Sequence, residues 1–207
     1  EIQSIHDLVG KRIGMSGPAG FDTMLGRLAL KRAGYDPDRD VRWTRIGGSG
    51  LRAAAVEAGR IDAAIVFYSD WYILEDKGAN VIKVVDMAAL APDILKGTYY
   101  ARTSWLEENP DIARDIVRAQ LDANRWFREN REEWIELALE WAPGSTREAV
   151  AKLYDDLLAI DMFPLDGGMS VEGAEQTVQL LLEAELIDQP IPVEGFLTTK
   201  YLDEVLR

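Results

Sequence analysis

Along the first ninety residues, apolar positions come in short runs separated by polar breaks that contain glycine. Residues 12–16, 42–46 and 61–67 are runs of strand length, the last reading Ile61-Asp-Ala-Ala-Ile-Val-Phe67. Each gives way to a loop and then to a helical period. After the first run comes Ser16-Gly17-Pro18-Ala19-Gly20, then a helix with Met24, Leu25 and Leu28 on one side and Gly34 as its stop. The second leads into Gly47-Gly48-Ser49-Gly50, an alanine-rich helix and Gly59. The third leads into Tyr68-Ser69-Asp70, a helix carrying Trp71 and Leu74, and Gly78. A fourth strand is expected at Val81–Asp86. Strands alternating with helices predict βαβ units and a mainly parallel sheet. Such a sheet gathers the loops after its strands along one edge, where ligands bind.

The pattern changes near Ala91-Pro92. Residues 96–102, Lys-Gly-Thr-Tyr-Tyr-Ala-Arg, read as one more strand, and the remainder is helical. Asn109-Pro110 opens a helix with Ile112, Ile116, Val117 and Leu121 facing inward, proline suiting its first turn. Trp134, Leu137, Ala138 and Trp141 mark another helix, stopped by Pro143-Gly144. Val150, Leu153, Tyr154, Leu157 and Leu158 fall at i, i+3, i+4, i+7 and i+8 of a third. Ser170 is placed to cap a fourth, which buries Val171, Ala174, Val178, Leu181 and Leu182, and a short helical tail follows. The chain thus divides into an α/β part, 1–95, and a part at 96–207 made of a crossover strand and helices.

Composition narrows the function. The net charge of −13 argues against nucleic acid as a partner, which needs a basic face. With no cysteine there are no disulfides, thiolate nucleophiles or zinc–sulfur sites. The one histidine, His6, precedes the first strand and is expected on solvated surface. A catalytic triad or histidine-rich metal site therefore has almost nothing to be built from, and the expectation is a protein that is not an enzyme, with no cofactor and no metal. No basic-then-apolar segment opens the sequence, which leaves the compartment open.

The loops carry the chemistry instead. Backbone N–H groups at a helix start are unpaired and carry partial positive charge, so they favour an anion or a polar acceptor. Glycine lets a ligand approach the backbone, and Ser16 or Ser49 adds a hydroxyl. Neither loop is a Walker P-loop, because no Gly-Lys-Ser/Thr follows, and Gly47–Gly50 alone is a weak match to a dinucleotide fingerprint. One such loop is as well explained as a tight turn; three on one edge point to a pocket. Phe67, Tyr68, Trp71 and Tyr72 cluster at the end of the third strand, with Tyr68 on the loop itself the expected ligand contact. Trp126, Trp134 and Trp141 are expected in the core, and Asp155-Asp156 and Glu132-Glu133 on solvated helix faces.

An ordered set of short motifs then resembles a known family. Asp7-Leu-x-Gly-Lys-x-Ile-Gly14, Gly34-Tyr-Asp-Pro37, Ala58-Gly-Arg-Ile-Asp-Ala63 and the helical stretch 104–130 resemble solute-binding proteins of bacterial ABC transporters for alkanesulfonates, taurine, nitrate or thiamine-type pyrimidines. The resemblance implies a type II periplasmic-binding-protein fold, α/β, in which one parallel-sheet lobe is joined to a mainly helical portion of the other. Residues up to about 95 would be the second lobe, and 97–102 the strand crossing back to the first. Ser16, Gly17, Pro18, Gly20, Phe21, Asp22, Thr23, Gly48, Ser49, Phe67, Tyr68 and Ser69 would then line an interlobe cleft.

The same resemblance implies a small organic solute, anionic or pyrimidine-like, an ABC transporter permease as partner, and a periplasmic or cell-surface location. A ligand-sensing domain of a signalling or regulatory protein is the alternative. A pyrimidine-synthesising enzyme, the third reading, would rely on histidine and a cysteine-rich motif. In the family a complete α/β segment precedes the equivalent of Asp7–Gly14. The chain is therefore expected to belong to a longer protein, or to pair with a second copy that covers the apolar stripes of its helices.

Overall fold

The computed structural model describes residues 2–92, 94–95, 97–142 and 144–207. Strands β1 (Arg12–Met15), β2 (Arg42–Arg45) and β3 (Ala63–Ala64) form a parallel sheet in the order β2-β1-β3. Ile13 lies opposite Trp43 on one side and Ala63 on the other. Each strand runs through a loop into a helix: α1 (Phe21–Arg32), α2 (Ser49–Glu57) and α3 (Tyr68–Asp76). Gly34, Gly59 and Gly78 follow the three helix ends at φ of 87°, 65° and 65°, a backbone state that glycine adopts without strain.

Helix α1 is the centre of the molecule. Residues 22–30 are all buried, and Leu28 is 0% exposed. One side, with Leu30, packs on Leu8, Ile13 and Val41 at the sheet. The other, with Met24, Leu25 and Leu28, packs on Ala91, Ile94 and Ala184. Gly26 allows the close approach to the sheet, since a Cβ there would lie 2.8 Å from Trp43 Cη2.

The second half is helical: α4 (Met87–Leu90), α5 (Thr103–Glu108), α6 (Pro110–Glu129), α7 (Arg131–Trp141), α8 (Arg147–Ala159), α9 (Val171–Glu183) and α10 (Lys200–Leu206). Pro110 occupies the first turn of α6, and Ser170 Oγ accepts from Gly173 N at 3.0 Å to cap α9, as their sequence predicts. An aromatic knot of Phe127, Trp134, Tyr154 and Phe163, with ring centroids 4.6–5.5 Å apart, joins α6, α7 and α8. Tyr154 is 2% exposed and donates its hydroxyl to Phe127 O at 2.8 Å. Helix α9 docks on α1, where Arg27 Nε donates to Ala184 O at 2.7 Å and its fork grips Asp38. Helix α8 docks on α3, where Tyr72 donates its hydroxyl to Asp156.

Several expectations are corrected. Residues 81–86 and 97–102 are of strand length but pair with no strand among the described residues, and the third strand shortens to Ala63–Ala64. A strand needs a neighbour offering free N–H and C=O groups, and these two segments run outside the sheet. Trp141 is 82% exposed rather than core, and Trp126, Ile112, Ile116, Leu137, Leu158 and Val171 are also exposed. Asp156 is half-buried against Tyr72 instead of standing free in solvent. Lys96 and Pro143, assigned to a strand and a helix stop, lie outside the described residues. His6 is exposed, as expected, with Nδ1 2.9 Å from the Tyr35 hydroxyl.

Candidate functional site

A parallel sheet puts the carboxyl ends of β1, β2 and β3 on one edge, so the starts of α1, α2 and α3 gather there. Hydrogen bonds lock the three loops together. Gly47 N donates to Met15 O at 3.3 Å, and Phe67 N donates to Ser49 Oγ at 2.9 Å. At each helix start the first N–H groups have no carbonyl one turn back. The first helical bonds are Met24 N to Gly20 O, Arg52 N to Gly48 O and Trp71 N to Phe67 O. Among the described residues, the N–H groups of Phe21, Asp22 and Thr23, of Ser49, Gly50 and Leu51, and of Tyr68, Ser69 and Asp70 are left without a backbone partner. Three helix dipoles thus present their positive ends on a single edge.

Within the first loop, the side chains serve the loop itself. Ser16 donates both its backbone N–H, at 2.8 Å, and its hydroxyl to the Asp22 carboxylate. Thr23 donates its hydroxyl to Gly17 O at 2.7 Å. The free donors are therefore the amides at the start of α1, not the hydroxyls that the sequence singles out. A side chain at Gly20 would collide with this arrangement, as its Cβ would lie 2.7 Å from Asp22 Oδ1, whereas Gly17 faces open space. Pro18 is exposed beside it.

In the second loop Gly48 precedes α2 with open space around it. Ser49 accepts from Phe67 N and keeps its own O–H to donate. In the third loop Tyr68 is half-buried. It donates its hydroxyl to Asp86 Oδ1 at 2.8 Å, with Lys83 Nζ 5.0 Å from its ring centroid. Burial, and then the Asp86 hydrogen bond, hold that hydroxyl above the usual phenol range. Phe67, not Tyr68, is the exposed aromatic, at 67%. Phe21 and Leu51, at 48% and 64%, stand beside the free amides of the other two helices. Ser69 makes no side-chain hydrogen bond among the described residues.

Sequence reasoning missed Leu51 and Arg52. Arg52 is buried, with Nε donating to Ile65 O at 3.0 Å, Nη1 donating to Gly47 O, and Nη1 3.6 Å from Asp22 Oδ2. A signal was present: Arg52 shares a helix face with Ala55 and Val56, at i+3 and i+4. Cavities of ≈ 920 Å³, beside Arg32, Gln176 and Pro192, and ≈ 480 Å³, beside Met162 and Gln176, lie away from the three loops. The start of α9 lines the second, but neither gathers three helix starts.

A family model described as NMT1/THI5 like matches residues 1–134. Among solved structures, the chain is similar to a putative sulfonate ABC transporter, periplasmic sulfonate-binding protein SsuA from Methylobacillus flagellatus KT. The two share 22% identity with a TM-score of 0.62, over 99% of this chain and 62% of that one. It is similar also to the periplasmic aliphatic sulphonate binding protein SsuA from Escherichia coli, at 20% identity and TM-score 0.68, over 95% and 61%. The desulfurization enzyme DSZB is similar at 18% identity and TM-score 0.61, over 98% of this chain and 72% of that one. At such identities the likeness establishes the fold, that of a type II periplasmic binding protein, and this chain spans about three fifths of the length of each SsuA protein. No match to a curated protein is found.

Proposed function

This chain belongs to the NMT1/THI5 like family, and we propose that it works as an extracytoplasmic solute-binding component of an ABC importer. The observation that carries the reading is the convergence of three helix starts, with unpaired amides and the exposed Phe21, Leu51 and Phe67, on one sheet edge. Amides at a helix start hold an anionic or strongly polar head, and apolar side chains beside them hold an organic body. The solute class that fits is a small organic anion. Gly17, Gly48, Ser49, Phe21, Phe67 and the amides of Asp22, Thr23 and Ser69 are the contacts. Ser16, Thr23 and Asp22 side chains shape the loop, and Tyr68 is held by its hydrogen bond to Asp86. The sheet edge is one wall of an interlobe cleft, with residues 1–95 forming one lobe and the helices after 96 belonging to the other. A transporter permease is the macromolecular partner, and the exposed apolar helix residues Ile112 and Ile116 mark a face that further chain or a second copy covers.

The enzyme DSZB shares the fold, so fold alone does not separate binding from catalysis. The residues favour binding. His6 precedes β1, on the opposite, amino edge of the sheet, and the chain has no cysteine. A thermal-shift panel of sulfonates, carboxylates, pyrimidines and aromatic acids tests the reading. A solute at 100 times its dissociation constant adds about 2.7 kcal/mol of stability. A clear upward shift with an organic anion, and recovery of that anion unchanged, is the expected result. Conversion of the solute would overturn the non-catalytic reading, and a panel without any shift would overturn the anion class.

A further inference from the structure

We propose that Arg52 and Asp22 are the positioning pair of this site, one buried cross-link that holds three loops in a single ligand-ready arrangement. The proposal rests on the solute-binding reading. The Arg52 side chain is 5% exposed, and its guanidinium is shared among the three loops. It donates to Gly47 O ahead of α2, donates to Ile65 O ahead of α3, and faces the Asp22 carboxylate in the first turn of α1. Asp22 passes the restraint on, accepting from Ser16 N and Ser16 Oγ at the end of β1. The planar fork of arginine suits this, because it reaches several acceptors in fixed directions, where lysine offers one flexible ammonium.

Stability alone is a poor reason for such a pair. Burying two charges carries a desolvation penalty that their attraction barely offsets, and apolar side chains of similar size do as well or better. What apolar side chains do not supply is direction toward two carbonyls and a carboxylate on separate loops. The pair also fixes local charge. Asp22 places a negative charge beside the free amides of α1, where it would repel an anionic head. Arg52 neutralises it there, so that the helix ends dominate the edge.

Amide hydrogen exchange on the ligand-free chain tests this, comparing the wild type with Arg52→Lys and Asp22→Asn. The reporters are the bonded amides of Ser16, Gly47 and Phe67, one in each loop; Ala184 and Asn130, bonded in the helical half, are the controls. Exchange at all three loop reporters should accelerate tenfold or more in each variant, with the controls unchanged. Acceleration confined to α2, or equal at loops and controls, would overturn the proposal, because it would make the pair an ordinary core contact. Failure of both variants to fold would overturn it too, in favour of a folding requirement. A parallel titration with 1-hexanesulfonate should show affinity reduced about tenfold in Arg52→Lys. If the wild type does not bind 1-hexanesulfonate, that counts against the solute reading while the exchange result still judges the pair.

Discussion

In the α/β part, charged side chains tie distant pieces of chain together. Arg52 reaches three loops, Arg27 joins α1 to Asp38 and Ala184, and Arg12 joins β1 to Asp62. Along α6 in the helical part, Arg118 and Arg125 pair with Asp115 and Asp122, each three residues back on the same exposed surface, while Arg114 pairs with Asp111 and also with Glu204 of α10. The apolar side differs in the same way. Helix α1 buries nine consecutive residues, while the 20-residue α6 buries Ala113, Leu121, Asn124 and Phe127. The first part is built from long-range constraints that fix loop positions. The second is held by helix formation, an aromatic knot and links between helices such as Arg131 with Asp155 and Arg114 with Glu204, whose surface ion pairs each contribute little.

Core truncations should expose this contrast most strongly. Leu28→Ala, in the fully buried face of α1, should destabilise by about 3 kcal/mol, whereas Leu137→Ala, on an exposed face of α7, should stay within about 0.5 kcal/mol. Urea unfolding of the two variants measures the difference, and equal losses would erase the distinction between the parts. Gly26→Val should follow, at about 2 kcal/mol, because the new side chain meets Trp43 and Ile65 where α1 crosses the sheet.

The acid limb sharpens the comparison. The side-chain hydrogen bonds of Arg12, and then its backbone N–H, hold the Asp62 carboxyl at about 2, below its ordinary 3.8. A carboxyl depressed by folding contributes stability above its unfolded value and loses it as pH falls through the folded one. Asp62→Asn should therefore melt lower than the wild type at pH 7, and the two melting curves should draw together between about pH 4 and pH 2. A gap that persists unchanged at pH 2 would show that the ion pair is not its source. Arg118→Ala, removing an exposed pair on α6, should change stability by less than about 0.5 kcal/mol at any pH.

These contrasts also explain what the amino-acid sequence reveals. The three strand–loop–helix units are legible because hydrophobic period and glycine stops are local, and Gly34, Gly59 and Gly78 sit at the left-handed positions their helix ends require. Segments 81–86 and 97–102 are misread as strands because pairing depends on a neighbour, which no apolar run can announce. Trp141 is misread as core because helical spacing shows a stripe and not what covers it. The loops themselves are legible, but not which groups in them are free. Ser16 looks like a ligand hydroxyl until Asp22, six residues on, takes both of its donors. The partner of the Tyr68 hydroxyl, Asp86, is set by the fold and not by local spacing, and Arg52 looks like a surface charge on an alanine-rich helix.

On the proposed reading, the sheet edge, and not the cavity beside Arg32, Gln176 and Pro192, receives the solute. Backbone amide chemical shifts followed during titration with 1-hexanesulfonate test it directly. The largest shifts should fall at residues 17, 19–23, 48–51 and 67–70, moving together along one binding curve. Shifts centred on residues 172–180 and 190–194, with the three loops unmoved, would contradict it.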